Sequence, residues 1–478
     1  MNPSARAHLA IVGNGMATGR LLDELLRRDA LRQLRISVFG EEPQGCYNRI
    51  LLHRLLAGGS IEDILLKPPA WYAEHGIAFH SLTVTQIDPL HRQLLTADGQ
   101  WHAFDQLVLA TGSVPIIPPL QGLRLADGSW RPGVVPYRTA ADCERLRQYL
   151  RPGKQAVVIG GGLLGLEAAK TLHDQGMHVT VLHAAEWLMN RQLDAPGGHF
   201  LQQALERMGL SVRTSAQATH LLGEAAIEAV QLADGTTLPA DLVVLACGVA
   251  PRVELARQAG LEVRKGIVVD DQLRTSQPQI YAVGECAEHR GVVYGIVAPL
   301  YEQCSVLADL LSGVRPQARY RGSVLYTRLK VAGVDVASMG EIESEGEQDE
   351  IVQIIEPQRG IYRKLIIRQE QLVGAVLVGD ATAAAPLLRR LQRGDLVPSN
   401  RLDWLASPYR RDTQESEDVV CHCHQIRPQQ LIQAIQNGCR TLSELGSRTG
   451  AGTGCGSCRG QLTRLLLQHA AAAAGASS

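Results

Sequence analysis

Four cysteines near the end of the chain have the type and spacing for metal chemistry. Within DVVCHCHQIRPQQLIQAIQNGCRTLSELGSRTGAGTGCGSCRGQ, which runs from Asp418 to Gln461, Cys421 and Cys423 stand one residue apart and Cys455 and Cys458 two apart. Four thiolates joined by a short helical stretch can hold an iron–sulfur cluster or a zinc ion, and the spacing arbitrates between them. Structural zinc favours two to four residues between paired cysteines, so Cys421-x-Cys423 is tight for it. A Rieske centre needs histidine on one iron, and none stands near Cys455 and Cys458. An all-cysteine cluster is the better fit, with zinc and metal-free thiols as the alternatives. Gly452, Gly454 and Gly456 let the backbone fold closely over inorganic sulfurs and leave amide N–H groups to bond them.

Over residues 417–468 this stretch resembles the [2Fe-2S] domain of bacterioferritin-associated ferredoxin. The resemblance implies Cys421, Cys423, Cys455 and Cys458 as the ligands and makes His422 and His424 neighbours of the cluster, since four cysteines fill the two irons.

The elements that must feed such a centre stand upstream. LAIVGNGMATGRLLDELLRR, from Leu9, reads as a short apolar strand, a glycine turn and an amphipathic helix, with LRISVFG and Glu41 following. Gly13 and Gly15 permit the turn and the close approach of a pyrophosphate, which then sits on a helix N-terminus where unpaired N–H groups favour anions. Glu41 stands where an acid would bond a ribose hydroxyl. The sixth place of the fingerprint holds Thr18, with Gly19 one step late, so strand–helix contact is expected to be less close there. A second copy, KQAVVIGGGLLGLEAAKTLHDQG from Lys154, carries Gly160, Gly162 and Gly165 in full register, followed by HVTVLH. Two such loops imply two dinucleotides. LVLATGSVP (107–115), LVVLACGVAP (242–251) and IYAVGECAE (280–288) read as strands running into small-residue loops, as backbone packed on a flat cofactor requires.

Over residues 8–312 the chain resembles the two-dinucleotide-fold flavoprotein reductases, which implies FAD on the first loop and NAD(P)H on the second. Carried over by position, Gly13, Gly15 and Glu41 meet the ADP part of FAD, and Ala110, Thr111 and Gly112 the strand end beside it. Arg49 in CYNRILLHRLL matches the flavin-side arginine. Gly284 and Glu285 take the place where many relatives have an aspartate on the ribityl chain. Gly160, Gly162, Gly165 and Glu167 match the nicotinamide nucleotide site, joined by His183 and Gly248. His183 stands where an acid would favour NADH and nearby arginines NADPH; with Glu186 close and the next arginine at 191, the reading leans to NADH.

These pieces give an α/β fold class: a two-dinucleotide-binding-fold flavoprotein reductase with a small α+β interface domain and a C-terminal helical [2Fe-2S] domain. The expected divisions are a FAD domain in two parts (1–122 and 248–313), a NAD(P)H domain (123–247), the interface domain (314–398), a linker (399–416), the cluster domain (417–468) and a disordered tail (469–478). A chain of 478 residues is too long for one core. Net charge is −1 and the isoelectric point about 6.9, so nothing points to nucleic acid or an acidic membrane surface. No apolar run reaches the length of a spanning helix, and the first strand begins too early to leave room for a secretory signal, so a cytoplasmic protein is expected. Six scattered cysteines (46, 143, 247, 286, 304 and 439) do not read as a disulfide framework.

In that order, and with GNGMA, YNR, LMNRQLD and YAVGECAE inside, the domains resemble the front half of the large subunit of NADH-dependent nitrite reductase and the electron-transfer subunit of bacterial assimilatory nitrate reductase. The resemblance implies hydride transfer from NADH to FAD, then single electrons through the cluster. No proton-transfer residue is nominated, because hydride transfer needs stacking and alignment. The cluster is expected to be exposed to a docking partner. Sirohaem and its further paired cysteines are missing, so the terminal step is expected on another protein, a molybdenum-containing nitrate reductase subunit. The alternatives are a rubredoxin or ferredoxin reductase, a peroxidase-like enzyme working through Cys46, and a redox sensor.

Overall fold

The structure, a computed structural model, describes residues 6–406, 419–421, 423–454, 456 and 458–474. Strand β1 (Ala7–Val12) buries Leu9 to Val12 without polar alternation, as a parallel strand covered on both faces must. It leads into α1 (Met16–Arg27), whose Leu21, Leu22 and Leu25 are buried, and β2 (Leu34–Phe39) returns parallel to β1. Strands β3 (Ala78–His80) and β4 (Gln106–Leu109) flank this pair on opposite sides.

A second parallel sheet follows: β5 (Val134–Pro136), β6 (Gln155–Ile159), α2 (Leu163–Asp174), β7 (His178–Leu182), α3 (Ala195–Arg207), β8 (Ser211–Arg213) and β9 (Leu242–Leu245). Its strand order is β5-β9-β6-β7-β8. The chain then returns to the first sheet through β10 (Ile280–Ala282), parallel to β4, and α4 (Val297–Leu311), which lies along α1. Both glycine loops therefore sit at the C-terminal ends of central strands, where open α/β sheets bind ligands.

The third sheet is antiparallel: β11 (Tyr326–Val331), β12 (Val334–Gly340), β13 (Asp349–Glu356), β14 (Ile361–Arg368) and β15 (Gln371–Val378), in the order β11-β12-β15-β14-β13. Side chains alternate across β14 with period two. Tyr362 packs in the core shared with α3, whereas Leu365 and Ile367 pack with Leu387 and Leu388 of α5 (Ala384–Arg393). A buried polar knot joins the second and third sheets. Asp194 caps α3 by accepting from Gly197 N at 3.1 Å, and its other carboxylate oxygen accepts from Tyr362 Oη at 2.6 Å and Lys364 Nζ at 2.9 Å.

Residues 399–406, expected as the start of a linker, are packed. Trp404 and Leu405 are buried among Leu387 and Val397, and Arg401 pairs with Glu350 and Glu370 on the third sheet. The prolines and charges of this stretch concealed a short helical turn, Asp403–Ala406. The rest of the expected linker, 407–416, lies outside the described residues, as do the first two residues of the expected cluster domain. The cluster domain comprises α6 (Pro428–Gln436), α7 (Leu442–Thr449) and α8 (Arg459–Ala474). Helix α8 continues through part of the expected tail, since alanine has the highest helix propensity; residues 475–478 lie outside the description. Among the described residues no helix is long and apolar enough to cross a membrane.

Candidate functional site

The first loop is shaped by what its residues exclude. Gly13 has φ +103°, and a Cβ there would lie 2.1 Å from the Ala110 carbonyl oxygen. Gly15 carries no such neighbour, so its face opens into the cavity described below. Thr18 does not loosen the turn as expected: its hydroxyl donates to Gly13 O at 2.7 Å and is buried. The late glycine has its own reason, because a Cβ on Gly19 would lie 2.8 Å from Cys46 Sγ. Cys46 is fully buried and donates to Gly15 O at 3.3 Å; burial pushes its thiol up to about 12. A thiol so protonated is a poor nucleophile or redox group.

At the second loop Gly165 is required, since a Cβ would lie 2.0 Å from Gly160 O. Gly160 has φ +126°, and a Cβ on Gly162 would meet no protein atom within 4 Å. His183, at the end of β7, accepts Gly161 N–H on Nδ1 at 3.2 Å. Burial lowers its pKa, so the ring is neutral and carries its proton on Nε2, which is buried without a hydrogen-bond partner.

Both loops line one continuous cavity of about 1520 Å³, above the usual volume of a single small-ligand pocket. Glu41, Arg49, Ala110, Thr111, Gly112, Glu167, Gly248, Gly284 and Glu285 also line it. Glu41 is held by Arg252 at 2.7 Å, and Thr111 Oγ1 donates to Arg252 O at 2.7 Å. Arg49 pairs with Glu42, which accepts from Tyr47 Oη at 2.6 Å. Gly284, at φ +88°, gives its N–H to Gln303 Oε1 at 2.9 Å. Glu167 lies 3.7 Å from His53.

Glu285 is paired: it accepts from Ser113 Oγ at 2.7 Å and from Arg138, and Arg138 also donates to Ser113 Oγ at 2.7 Å. Sequence reasoning missed Arg138 and Ser113; only the family of strand ends hinted at Ser113, and nothing local marks Arg138. Arg138 Nε and Asn14 Nδ2 are buried cavity-lining donors with no partner. With His183 Nε2 they suit polar, anionic ligands, and the open glycine faces leave room for pyrophosphates, so the cavity fits two nucleotides.

The cysteine loops meet this cavity. Cys421 pairs with Ile426 across a tight turn, with both N···O distances 3.1 Å. A Cβ on Gly454 would lie 2.9 Å from Cys423 Sγ, so Gly454 lets the two loops close on each other. Cys421, Cys423 and Cys458 are 2%, 8% and 7% exposed. Cys455 lies outside the described residues. The expected exposure of this centre is not what these three show: they sit in a core shared with β1, α1 and α4, and Cys423 lines the cavity itself. Four cysteines are the donor set an iron–sulfur cluster takes, and among the described residues, which leave out Cys455, no three metal-ligating side chains are gathered.

Comparisons with known proteins match three stretches of the chain. The family model for pyridine nucleotide-disulphide oxidoreductases matches residues 7–305, that for the rubredoxin NAD+ reductase C-terminal domain 326–395, and that for the BFD-like [2Fe-2S] binding domain 419–468. The chain is 40% identical to a nitrite reductase [NAD(P)H] of Bacillus subtilis (strain 168), over 97% of this chain and 58% of that protein. It is 38% identical to the assimilatory nitrate reductase electron transfer subunit of the same organism, over 96% of this chain and 59% of that one. It therefore spans less than two-thirds of these curated relatives. The crystal structure of a ferredoxin reductase for the CYP199A2 system from Rhodopseudomonas palustris superimposes with a TM-score of 0.71 at 28% identity, covering 79% of this chain and 93% of that one.

Proposed function

This chain belongs to the pyridine nucleotide-disulphide oxidoreductase family, and from that premise we propose that it draws reducing equivalents from NADH and delivers them singly to a separate nitrate- or nitrite-reducing catalytic protein in the cytoplasm. It is an oxidoreductase of FAD, NAD(H) and a [2Fe-2S] cluster. Bound flavin supplies the conversion of a two-electron hydride into one-electron steps.

The chain's own residues bind, orient and exclude water. On this reading Gly13 and Gly15 admit the FAD pyrophosphate to the N-terminus of α1, and Glu41, fixed by Arg252, accepts from the ribose. Ala110, Thr111, Gly112, Gly284 and the Glu285–Arg138–Ser113 group hold the flavin side, with Arg49 in the adjoining turn. Gly160, Gly162 and Gly165 admit the second pyrophosphate to α2, Glu167 and Gly248 face the nicotinamide end, and His183 offers Nε2–H to the adenosine ribose. A neutral imidazole offers no charge to a 2′-phosphate, which favours NADH. Cys421, Cys423, Cys455 and Cys458 hold the cluster. A molybdenum centre in the acceptor fits the nitrate-reductase relative.

The observation that carries this reading is that both glycine loops and Cys423 line the same cavity. Anaerobic purification tests it. The expected protein contains FAD, iron and sulfide, and NADH bleaches both flavin and cluster absorbance while ferricyanide is reduced over many turnovers. Zinc in place of iron, absence of flavin, or a cluster untouched by NADH would overturn it.

A further inference from the structure

Arg20 and Asn48 belong to neither nucleotide loop, yet each reaches one of the cysteine loops across more than 400 positions of sequence. Arg20, on α1, donates to His424 Nδ1 at 2.7 Å. Nδ1 being an acceptor, Nε2 carries the proton and donates to Thr453 Oγ1 at 3.0 Å, whose hydroxyl donates to Gly450 O at 2.7 Å. One tautomer satisfies the whole line. Glu24 holds Arg20 at 2.7 Å, and Arg20 lies 5.2 Å above the Tyr301 ring, itself 5.1 Å from the His424 ring. Independently, Asn48 Nδ2 donates to Thr453 O at 2.7 Å and Gly454 O at 2.8 Å, while its Oδ1 accepts from Ile50 N at 3.0 Å. Arg20 is 9% and Asn48 1% exposed, so neither pair is a surface contact.

We propose that Arg20 and Asn48 are positioning residues that seat both cysteine loops on the FAD-binding sheet, making the cluster a fixed wall of the flavin cavity rather than a module that swings on its tether. The inference rests on the electron-transfer reading above and adds where the transfer takes place. Bound flavin and cluster would exchange one electron at a time with no bond made or broken, and for a given driving force such an exchange would slow as the two are held further apart. Arg20 grips the first loop through His424 and Asn48 grips the second through backbone carbonyls. Losing either frees one side of the seat.

The test uses the complete protein with its cofactors, as wild type, Arg20→Met, Arg20→Lys and Asn48→Ala. Amide exchange over 419–431 and 446–454 is expected to accelerate about tenfold or more in Arg20→Met and Asn48→Ala. In anaerobic stopped flow, NADH should bleach the flavin at the wild-type rate in both, while cluster bleaching slows by about tenfold or more, as a small misplacement of reacting groups can cause. Arg20→Lys, keeping a donor, should fall between. Asn48→Ala keeps the test alive should α1 not tolerate methionine. Wild-type exchange, or wild-type cluster reduction, in both Arg20→Met and Asn48→Ala overturns the seating. A wild-type cluster that NADH never reduces would sink the electron-transfer reading alone, and the exchange comparison would still decide the seating.

Discussion

Gly19 has no side chain because sulfur occupies its place, and that contact defines what Cys46 does. At pH 8 a thiol with a pKa of about 12 is ionised to about one part in ten thousand, so iodoacetamide should leave Cys46 unmodified in the folded protein, checked by peptide mass spectrometry. Cys46→Ser keeps a donor for Gly15 O, and NADH-to-dye turnover should stay within about twofold of wild type; its loss would restore the peroxidase-like alternative. Burial pushes Cys143 and Cys304 to about 12 as well, from an ordinary value of 9.0. Between these values the unfolded chain releases protons the folded chain keeps. Stability is therefore intact below about pH 9 and falls as pH rises toward 12, by about 1.4 kcal/mol per pH unit for each thiol. Urea midpoints at pH 8, 9.5 and 10.5 should decline in that order. At this scale the sequence was legible where a residue acts on its neighbours, as at Gly13. It was silent on Arg138, whose partners Ser113 and Glu285 lie 25 and 147 positions away.

Two of the glycines in the second loop, Gly162 and Gly165, separate geometry from ligand. Gly165→Ala drives a Cβ into Gly160 O and should destabilise the fold by about 1–3 kcal/mol, read from the urea midpoint. Gly162→Ala meets no protein atom and already has a conformation alanine accepts, so the midpoint should hold. Its methyl points into the cavity, and KM for NADH should rise by about tenfold or more. Between elements, Asp194 is the joint of α3 with β14. Asp194→Ala leaves buried Lys364 with only the more distant Glu343 carboxylate at 3.8 Å and should cost about 3–5 kcal/mol in urea unfolding, whereas Asp194→Leu combined with Lys364→Met should recover the part due to the unpaired charge but not the lost α3 cap. Helices and strands with a local period were readable in advance. The turn at Asp403–Ala406 was not, because the signal that Trp404 and Leu405 are core lies on the third sheet and not in their own neighbourhood.

Across the whole molecule, charge is unevenly shared. The chain is close to neutral, yet residues 419–474 hold five arginines (427, 440, 448, 459 and 464) against one glutamate, Glu444. An electron outlet with that surplus should attract anionic acceptors. Ferricyanide reduction is therefore expected to fall several-fold between about 20 and 200 mM salt while hexaammineruthenium(III) reduction rises, and equal responses would count against the cluster domain as the outlet. The order of domains was legible because each carries its own motif. Their seating was not, since it depends on single pairs such as Arg20 with His424 that no periodicity reveals. That seating also bears on how the protein matures in the cell. If one side of the yellow cofactor's chamber is built from the loop that grips iron, then iron starvation should yield protein poor in both metal and colour, and iron repletion should restore the two together.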